Sequence, residues 1–303
     1  MAGVAQNRFR GLVAAPFTPF HADGTIHEEV IDRQIERLIA DGVGGAFVCG
    51  TTGEGPSLTT AERMQVASRW AQARRRLKLF VHVGHSSAAD ARALAAHAQA
   101  IGADAIACLA PFFFKPRTVG ELAAFCRHVA AAAPDLPFYY YHIPSLTGVS
   151  LAMRDFLPEA VRAIPSFVGI KFTFEDVADF AACVAFDGGR LDMLFGRDEL
   201  LYDGLAAGAT GAVGSTYNYM ARFYRPIIEA WERGDEASGR AAQARANRII
   251  DTMNRHGGMA AGKRMMALAG IECGPVRPPL VELSTAAAEG LRTDLAAAGF
   301  FAV

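Results

Sequence analysis

The stretch Ser166-Phe167-Val168-Gly169-Ile170-Lys171-Phe172-Thr173 is typical of a β-strand that is buried on both faces and carries a lysine near its end. Four of the five residues before Lys171 are apolar or glycine, as in a strand of a parallel sheet. An ammonium group that leaves water needs a partner or a shifted pKa, and burial favours the neutral amine. A neutral lysine amine can attack a carbonyl carbon and form a Schiff base. The alternative is a lysine that extends from the strand end into water.

Short apolar runs alternate with amphipathic stretches on both sides of this strand. The predicted strands are Leu12–Ala15, Ala46–Cys49, Leu79–Val83, Ala105–Leu109, Phe138–Tyr141, Val168–Lys171, Met193–Phe195 and Gly211–Val213. The predicted helices between them are Glu28–Ala40, a helix capped by Thr59 with Glu62 at capping-box spacing, Ala88–Ile101, Val119–Ala132, Met153–Ala163, Glu175–Cys183 and Glu199–Ala207.

Consecutive βα units of this kind predict an α/β protein with a (β/α)8 TIM barrel. A doubly wound open sheet is the alternative, but it usually has fewer strands and a glycine-rich phosphate-binding first turn, which the stretch between Ala15 and Glu28 lacks. Only helices are predicted after Trp231, namely Glu236–Asn254, Ala260–Leu268 and Ser284–Ala298. We therefore predict a barrel over residues 1–232 and a C-terminal helical extension over residues 233–303 that packs on the barrel or on a partner subunit.

Composition excludes several classes of protein. The 303 residues carry a net charge of −1, so no basic surface for nucleic acid or anionic membrane is expected. The five cysteines are scattered without metal-ligand spacing, which is typical of reduced thiols. The sequence shows no signal-peptide pattern and no long apolar run. We expect a soluble cytoplasmic protein with no nucleic-acid or membrane partner.

Polar side chains follow several of the predicted strands. Since the carboxyl ends of all strands open on one face of a barrel, these clusters should meet there. They are Gly50-Thr51-Thr52-Gly53-Glu54 after the second strand, Tyr141 and Lys171 at the ends of the fifth and sixth, Gly196-Arg197-Asp198-Glu199 after the seventh and Gly214-Ser215-Thr216 after the eighth.

Each cluster has a functional and a structural interpretation. The glycines after the second strand would let successive backbone N–H groups hold a carboxylate, although an ordinary tight turn fits as well. Tyr141 lies at the end of a strand adjacent to that of Lys171 and could transfer protons there; the alternative is core packing. Asp198 and Glu199 could accept hydrogen bonds from a polyol substrate or simply begin a helix. Ser215 either lines the mouth or belongs to a turn.

His82 and His85, in the stretch His82-Val83-Gly84-His85, are candidate metal ligands by residue type. Three positions along a strand place the two rings on opposite faces, so a shared metal ion is not expected. We predict no metal site.

Long motifs identify the family that this sequence resembles. They are Gly50-Thr51-Thr52-Gly53-Glu54, Tyr141-x-Ile143-Pro144, Gly169-Ile170-Lys171 and Gly208-Ala209-Thr210-Gly211-Ala212-Val213-Gly214-Ser215. Together they resemble the N-acetylneuraminate lyase and dihydrodipicolinate synthase family of class I pyruvate aldolases. The stretches Phe138–Val149 and Gly214–Tyr219 are particularly similar to the N-acetylneuraminate lyases.

The resemblance implies roles for particular residues. Lys171 would form a Schiff base with pyruvate or the open-chain 2-oxo acid, with Tyr141 as the acid/base phenol and the Thr51 hydroxyl supporting it. Backbone N–H groups of Thr51 and Thr52 would hold the carboxylate. The residues implied to bind the hydroxylated tail of the sugar acid are Thr173, Gly196, Asp198, Glu199 and Ser215.

The resemblance further implies cleavage of N-acetylneuraminate to pyruvate and N-acetylmannosamine by a homotetramer. The covalent Schiff base would serve in place of any cofactor or metal. Dihydrodipicolinate synthases usually have an arginine where Leu146 stands and a tyrosine pair within the stretch Pro111-Phe112-Phe113-Phe114. Both departures argue against that synthase activity.

Other activities remain as alternatives at this point. Arg197 lies in the tail-binding loop, where a cation could favour an additional anion. An aldolase or dehydratase of the same mechanism acting on another 2-oxo-3-deoxy sugar acid is therefore the nearest alternative. A metal-dependent aldolase and a non-catalytic sugar-acid sensor are more distant alternatives.

Overall fold

The structure, a computed structural model, describes residues 8–73 and 76–302 and contains a closed barrel of parallel strands in chain order. The strands are β1 (Gly11–Ala14), β2 (Gly45–Val48), β3 (Lys78–His82), β4 (Ala105–Leu109), β5 (Phe138–His142), β6 (Phe167–Phe172), β7 (Asp192–Phe195) and β8 (Gly211–Gly214). Because β1 pairs with β8, the sheet has no open edge. The predicted (β/α)8 TIM barrel is confirmed.

Helices surround the barrel and continue beyond it. They are α1 (Glu28–Ala40), α2 (Thr60–Trp70), α3 (Ala88–Ala100), α4 (Val119–Ala130), α5 (Pro144–Thr147), α6 (Met153–Ala163), α7 (Val177–Ala185), α8 (Leu201–Ala206), α9 (Tyr217–Glu232), α10 (Glu236–Arg255), α11 (Met259–Leu268) and α12 (Thr285–Ala297). In the part of the chain that the structure describes, none of them is long and apolar enough to cross a membrane.

Local signals explain where several helices begin. The Thr59 hydroxyl accepts a hydrogen bond from the Glu62 N–H and the Glu62 carboxylate accepts one from the Thr59 N–H, which is the predicted capping box of α2. Several predicted helices differ from the observed ones by one or two residues at an end, and two of these differences have a local cause. Helix α7 begins at Val177, two residues later than expected, because the Asp176 side chain caps it. The stretch predicted to be one helix from Glu199 is a 3₁₀ turn followed by α8.

The barrel separates two layers of core. Side chains that point inward, including Phe47, Tyr139 and Tyr141, pack inside the barrel, whereas Tyr140 packs against the surrounding helices. This alternation follows from strand geometry, in which successive side chains point to opposite faces. Gly169 allows β6 and β7 to approach, since a Cβ atom there would lie 1.7 Å from the Asp192 carbonyl oxygen.

The C-terminal helices pack on the barrel rather than standing apart from it. Helix α10 contacts α9 and the 3₁₀ turn after β7. The division into a barrel over residues 1–232 and an extension over residues 233–303 stays a prediction, and residues 1–7, 74–75 and 303 of these units lie outside the described part of the chain. We use the term C-terminal extension for the described residues from 233 onward.

Candidate active site

Lys171 lies at the carboxyl end of the barrel between two aromatic rings. The strand register places it opposite Tyr141 of β5. Its Nζ atom is 3.8 Å from the centre of the Phe47 ring and 4.0 Å from that of the Tyr141 ring. The side chain is only 3% exposed. It therefore does not extend into water, which excludes the structural interpretation of this lysine.

Burial changes the acid–base properties of Lys171. It lowers the pKa of the ammonium to about 7, against a small opposing attraction from Asp198. Among residues 8–73 and 76–302, no carboxylate oxygen lies within 4.0 Å of Nζ to hold the charge in place. A substantial fraction of this amine is therefore neutral near pH 7.

The Tyr141 hydroxyl lies beside a second hydroxyl. The two oxygen atoms of Tyr141 and Thr51 are 3.3 Å apart. Burial raises the pKa of Tyr141 to about 12, while the Thr51 and Thr173 hydroxyls act in the opposite direction. The phenol thus stays protonated in the resting site.

The turn after β2 presents free backbone donors. It is closed by hydrogen bonds from the Glu54 N–H to the Thr51 carbonyl and from the Gly55 N–H to the Gly50 carbonyl. The N–H groups of Thr51 and Thr52 donate to no other residue in the described part of the chain. A Cβ atom on Gly55 would lie 2.1 Å from the Cys49 carbonyl oxygen, so the turn needs glycine there. Two adjacent free donors suit a carboxylate.

Asp198 is held by the loop after β8. Its Oδ2 atom accepts hydrogen bonds from the Thr216 N–H at 3.0 Å and from the Thr216 hydroxyl at 2.7 Å. Burial raises the pKa of Asp198 to about 6, although these hydrogen bonds oppose the rise. Gly214 makes room for the carboxylate, because a Cβ atom there would lie 1.9 Å from Asp198 Oδ1. The carboxylate is therefore fixed in orientation before any ligand arrives.

Arg197 does not offer an unpaired cation. Its Nη1 atom lies 2.9 Å from a carboxylate oxygen of Glu175, and its Nε atom lies 3.6 Å from one of Glu199. The expectation that Arg197 would attract an additional anion is weakened by these two pairs, which the separate loops after β6 and β7 bring together.

One cavity of about 190 Å³ contains all the predicted site residues. Those that line it are Thr51, Thr52, Tyr141, Lys171, Thr173, Gly196, Asp198, Glu199 and Ser215. Sequence reasoning missed Ile250 and Met253 of α10, which also line it. Their only signal is an apolar position on a helix, which is shared with core residues.

Comparison with known proteins agrees with this geometry. Residues 8–298 match the dihydrodipicolinate synthetase family. The chain belongs to this family. The mouse N-acetylneuraminate lyase is 46% identical over 281 residues, which cover 91% of this chain and 88% of the relative. The human N-acetylneuraminate lyase is 44% identical over 287 residues, covering 92% and 89%.

Solved structures of the family have the same fold. The N-acetylneuraminate lyase of Proteus mirabilis superposes with a TM-score of 0.94 at 43% identity and covers 97% of this chain and 100% of its own. The N-acetylneuraminate lyase of Aliivibrio salmonicida also gives a TM-score of 0.94, at 40% identity, with 97% and 98% covered. The barrel and its helical C-terminal segment are thus shared along nearly the whole chain.

Proposed function

We propose that this protein is a carbon–carbon lyase that cleaves N-acetylneuraminate to pyruvate and N-acetylmannosamine through a Schiff base. Its similarity to lyases of that name over about nine-tenths of the chain supports this substrate. The observation that carries the proposal is the burial of Lys171 at the mouth of the barrel, opposite Tyr141.

Lys171 would act as the nucleophile. Its neutral amine attacks the C2 carbonyl carbon of the open-chain sugar acid. The hydroxyl of the resulting carbinolamine leaves as water with the proton of the Tyr141 phenol, which yields a protonated imine and a Tyr141 phenolate. The two aromatic rings beside Nζ stabilise that cation through their faces. The substrate carboxylate would accept hydrogen bonds from the Thr51 and Thr52 N–H groups, which fixes C2 near the amine.

Tyr141 would move the proton that cleavage requires. Its phenolate oxygen takes the proton from the C4 hydroxyl, the C3–C4 bond breaks, and the electron pair moves to the iminium nitrogen as an enamine. Protonation at C3 and hydrolysis then release pyruvate and restore the Lys171 amine. Thr51, at 3.3 Å from the phenol oxygen, supports the proton transfer. The iminium is the electron sink, so the mechanism needs no cofactor.

The hydroxylated tail would lie along the remaining polar lining of the cavity. This lining contains Thr173, Gly196, Asp198, Glu199 and Ser215, which offer carboxylates and hydroxyls as partners for a polyol. Since Arg197 is already paired with two carboxylates, nothing in its surroundings favours a more anionic sugar acid.

We also propose that the protein works as a cytoplasmic homotetramer. Exposed apolar side chains support self-association: Phe113 and Phe114, whose rings pack together, are 75% and 85% exposed, and Leu146 is 60% exposed. Clustered apolar side chains on a surface are usual at an interface. Sedimentation of the purified protein would test the assembly, and a monomer at micromolar concentration would contradict it.

Pyruvate release from N-acetylneuraminate tests the activity directly. We expect release by the parent protein and by Lys78→Ala, whose lysine is exposed and paired with Asp104, but none by Lys171→Ala. Borohydride should trap pyruvate on Lys171. Trapping without release from N-acetylneuraminate would keep the mechanism and reject the sugar, and turnover by Lys171→Ala would reject the nucleophile.

A further inference from the structure

We infer that the C-terminal extension positions the carboxylate-binding turn after β2 through Lys263 and Arg277. This inference rests on the proposed function, because it assigns the turn to the substrate carboxylate. Lys263 and Arg277 are positioning residues, because neither is assigned a contact with the substrate or with Lys171.

Glu54 is the connection between the turn and the extension. It follows the turn donors by two residues, is 3% exposed, and has a left-handed φ of 54°. A residue other than glycine is strained in this region, and it keeps the conformation only where its surroundings hold it there. The reason for the conformation must therefore be sought in what the Glu54 side chain contacts.

Both carboxylate oxygens of Glu54 are bound by the extension. Lys263 Nζ lies 2.7 Å from Oε1, and the Arg277 N–H donates to Oε2 at 2.7 Å. Lys263 is itself fixed by a hydrogen bond to the Pro275 carbonyl and by contact with the face of the Phe20 ring. The extension thus holds the Glu54 side chain, which directly follows the carboxylate-binding turn, by an ion pair and a hydrogen bond.

Arg277 joins further segments around the same turn. Its guanidinium donates to both carboxylate oxygens of Glu62, at 2.9 and 2.5 Å. It also donates to the Ser57 carbonyl at 3.1 Å and to the Gly24 carbonyl at 2.7 Å. One side chain from the extension therefore links the loops after β1 and β2 to the start of α2.

The extension makes a second, separate contact with the mouth. The Gln243 amide donates to the Asp198 carbonyl at 2.9 Å and the Asn247 amide donates to the Glu199 carbonyl at 3.0 Å. The loops after β2 and β7, which are both assigned to substrate binding, are thus held by residues outside the barrel strands.

The charges make the role of Lys263 testable. A buried Glu54 carboxylate close behind the turn would repel a substrate carboxylate, and the Lys263 ammonium compensates it. Removing the ammonium leaves that carboxylate without its ion-pair partner, whereas removing both charges restores neutrality. Affinity for pyruvate should therefore change while the chemistry at Lys171 does not.

Borohydride trapping at increasing pyruvate concentration separates these effects. For Lys263→Met we expect the half-saturating pyruvate concentration to rise about tenfold, with the trapping rate at saturation within about twofold of the parent. The Glu54→Gln/Lys263→Met double variant should return to within about threefold. Arg240→Met, which removes a surface cation of the same extension paired with Asp203 and Glu236, should be unchanged.

Three outcomes decide the inference. A folded Lys263→Met protein with unchanged half-saturation would overturn it, as would a double variant no better than the single one. If Lys263→Met does not fold, Arg277→Met carries the test, since it leaves the Glu54–Lys263 pair intact; an unchanged half-saturation would again overturn the inference. Failure to trap pyruvate on the parent would instead overturn the proposed function.

Discussion

Replacing Lys171 with methionine is expected to stabilise the folded protein at the same time as it removes the nucleophile. Methionine has a similar length and no charge, so it suits the buried position. The pKa of Lys171 falls from an ordinary 10.5 to about 7 on folding. This shift measures how much the burial of the amine lowers the free energy of unfolding at a pH where the free amine is protonated. The free energy follows from about 1.4 kcal/mol per pKa unit.

The gain in unfolding free energy from Lys171→Met should decrease as the pH rises. Because the pKa of Lys171 is lower in the folded state, the unfolded chain binds more protons between pH 7 and 10.5, and the parent's unfolding free energy rises with pH across this window. The Lys171→Met variant has no amine to bury, so its unfolding free energy lacks this contribution. Its advantage should be about 3 kcal/mol at pH 8 and should vanish towards pH 10.5.

Urea unfolding of parent and variant at pH 7, 8, 9 and 10 measures this trend. The control is Lys78→Met, which removes an exposed lysine paired with Asp104 at 2.7 Å; it should change stability by less than about 1 kcal/mol, without a trend between pH 7 and 9. A Lys171→Met protein that is no more stable than the parent at pH 8 would refute the reasoning. So would a gain that persists undiminished at pH 10.

Three further outcomes are expected. Tyr141→Phe should lower kcat by about 10² to 10³ while pyruvate is still trapped by borohydride, because only proton transfer is lost; loss of trapping would contradict this. The trapping rate of the parent should rise with pH through about 7, as the Lys171 amine becomes neutral, and a flat profile from pH 6 to 8 would argue against it. Arg197→Met should raise KM for the sugar acid by about threefold to tenfold, because Glu175 and Glu199 lose their partner, with half-saturating pyruvate unchanged; equal shifts in both would contradict a role confined to the tail.

Local patterns were sufficient to predict the order of the barrel elements. The bounds of α1 and α6 coincide with the predicted ones, since an apolar stripe of helical period begins and ends there. Tyr139 and Tyr141 share the inward face of β5, because alternation along a strand is set by backbone geometry. The polar clusters were expected to meet because the carboxyl ends of all strands lie on one face of a barrel.

Contacts between distant segments could not be predicted in the same way. Arg277 and Glu54 are separated by 223 positions, and no local pattern connects a residue of the helical extension with a turn after β2. The pairing of Arg197 with Glu175 likewise depends on how two loops pack. Ile250 and Met253 line the site only because α10 reaches the mouth. Each case requires tertiary packing, which periodicity and motif spacing do not contain.

Burial has opposite consequences for the two central groups, and this suggests the order of events. It makes the Lys171 amine more nucleophilic by lowering its pKa, but it makes Tyr141 a poorer acid by raising its pKa to about 12. The protonated imine supplies what the resting site lacks, a lasting positive charge at about the position of Nζ, 4.0 Å from the Tyr141 ring. That charge stabilises the phenolate, so Tyr141 becomes an effective base only once the Schiff base has formed. Loss of the Tyr141 hydroxyl should therefore slow bond cleavage more than imine formation.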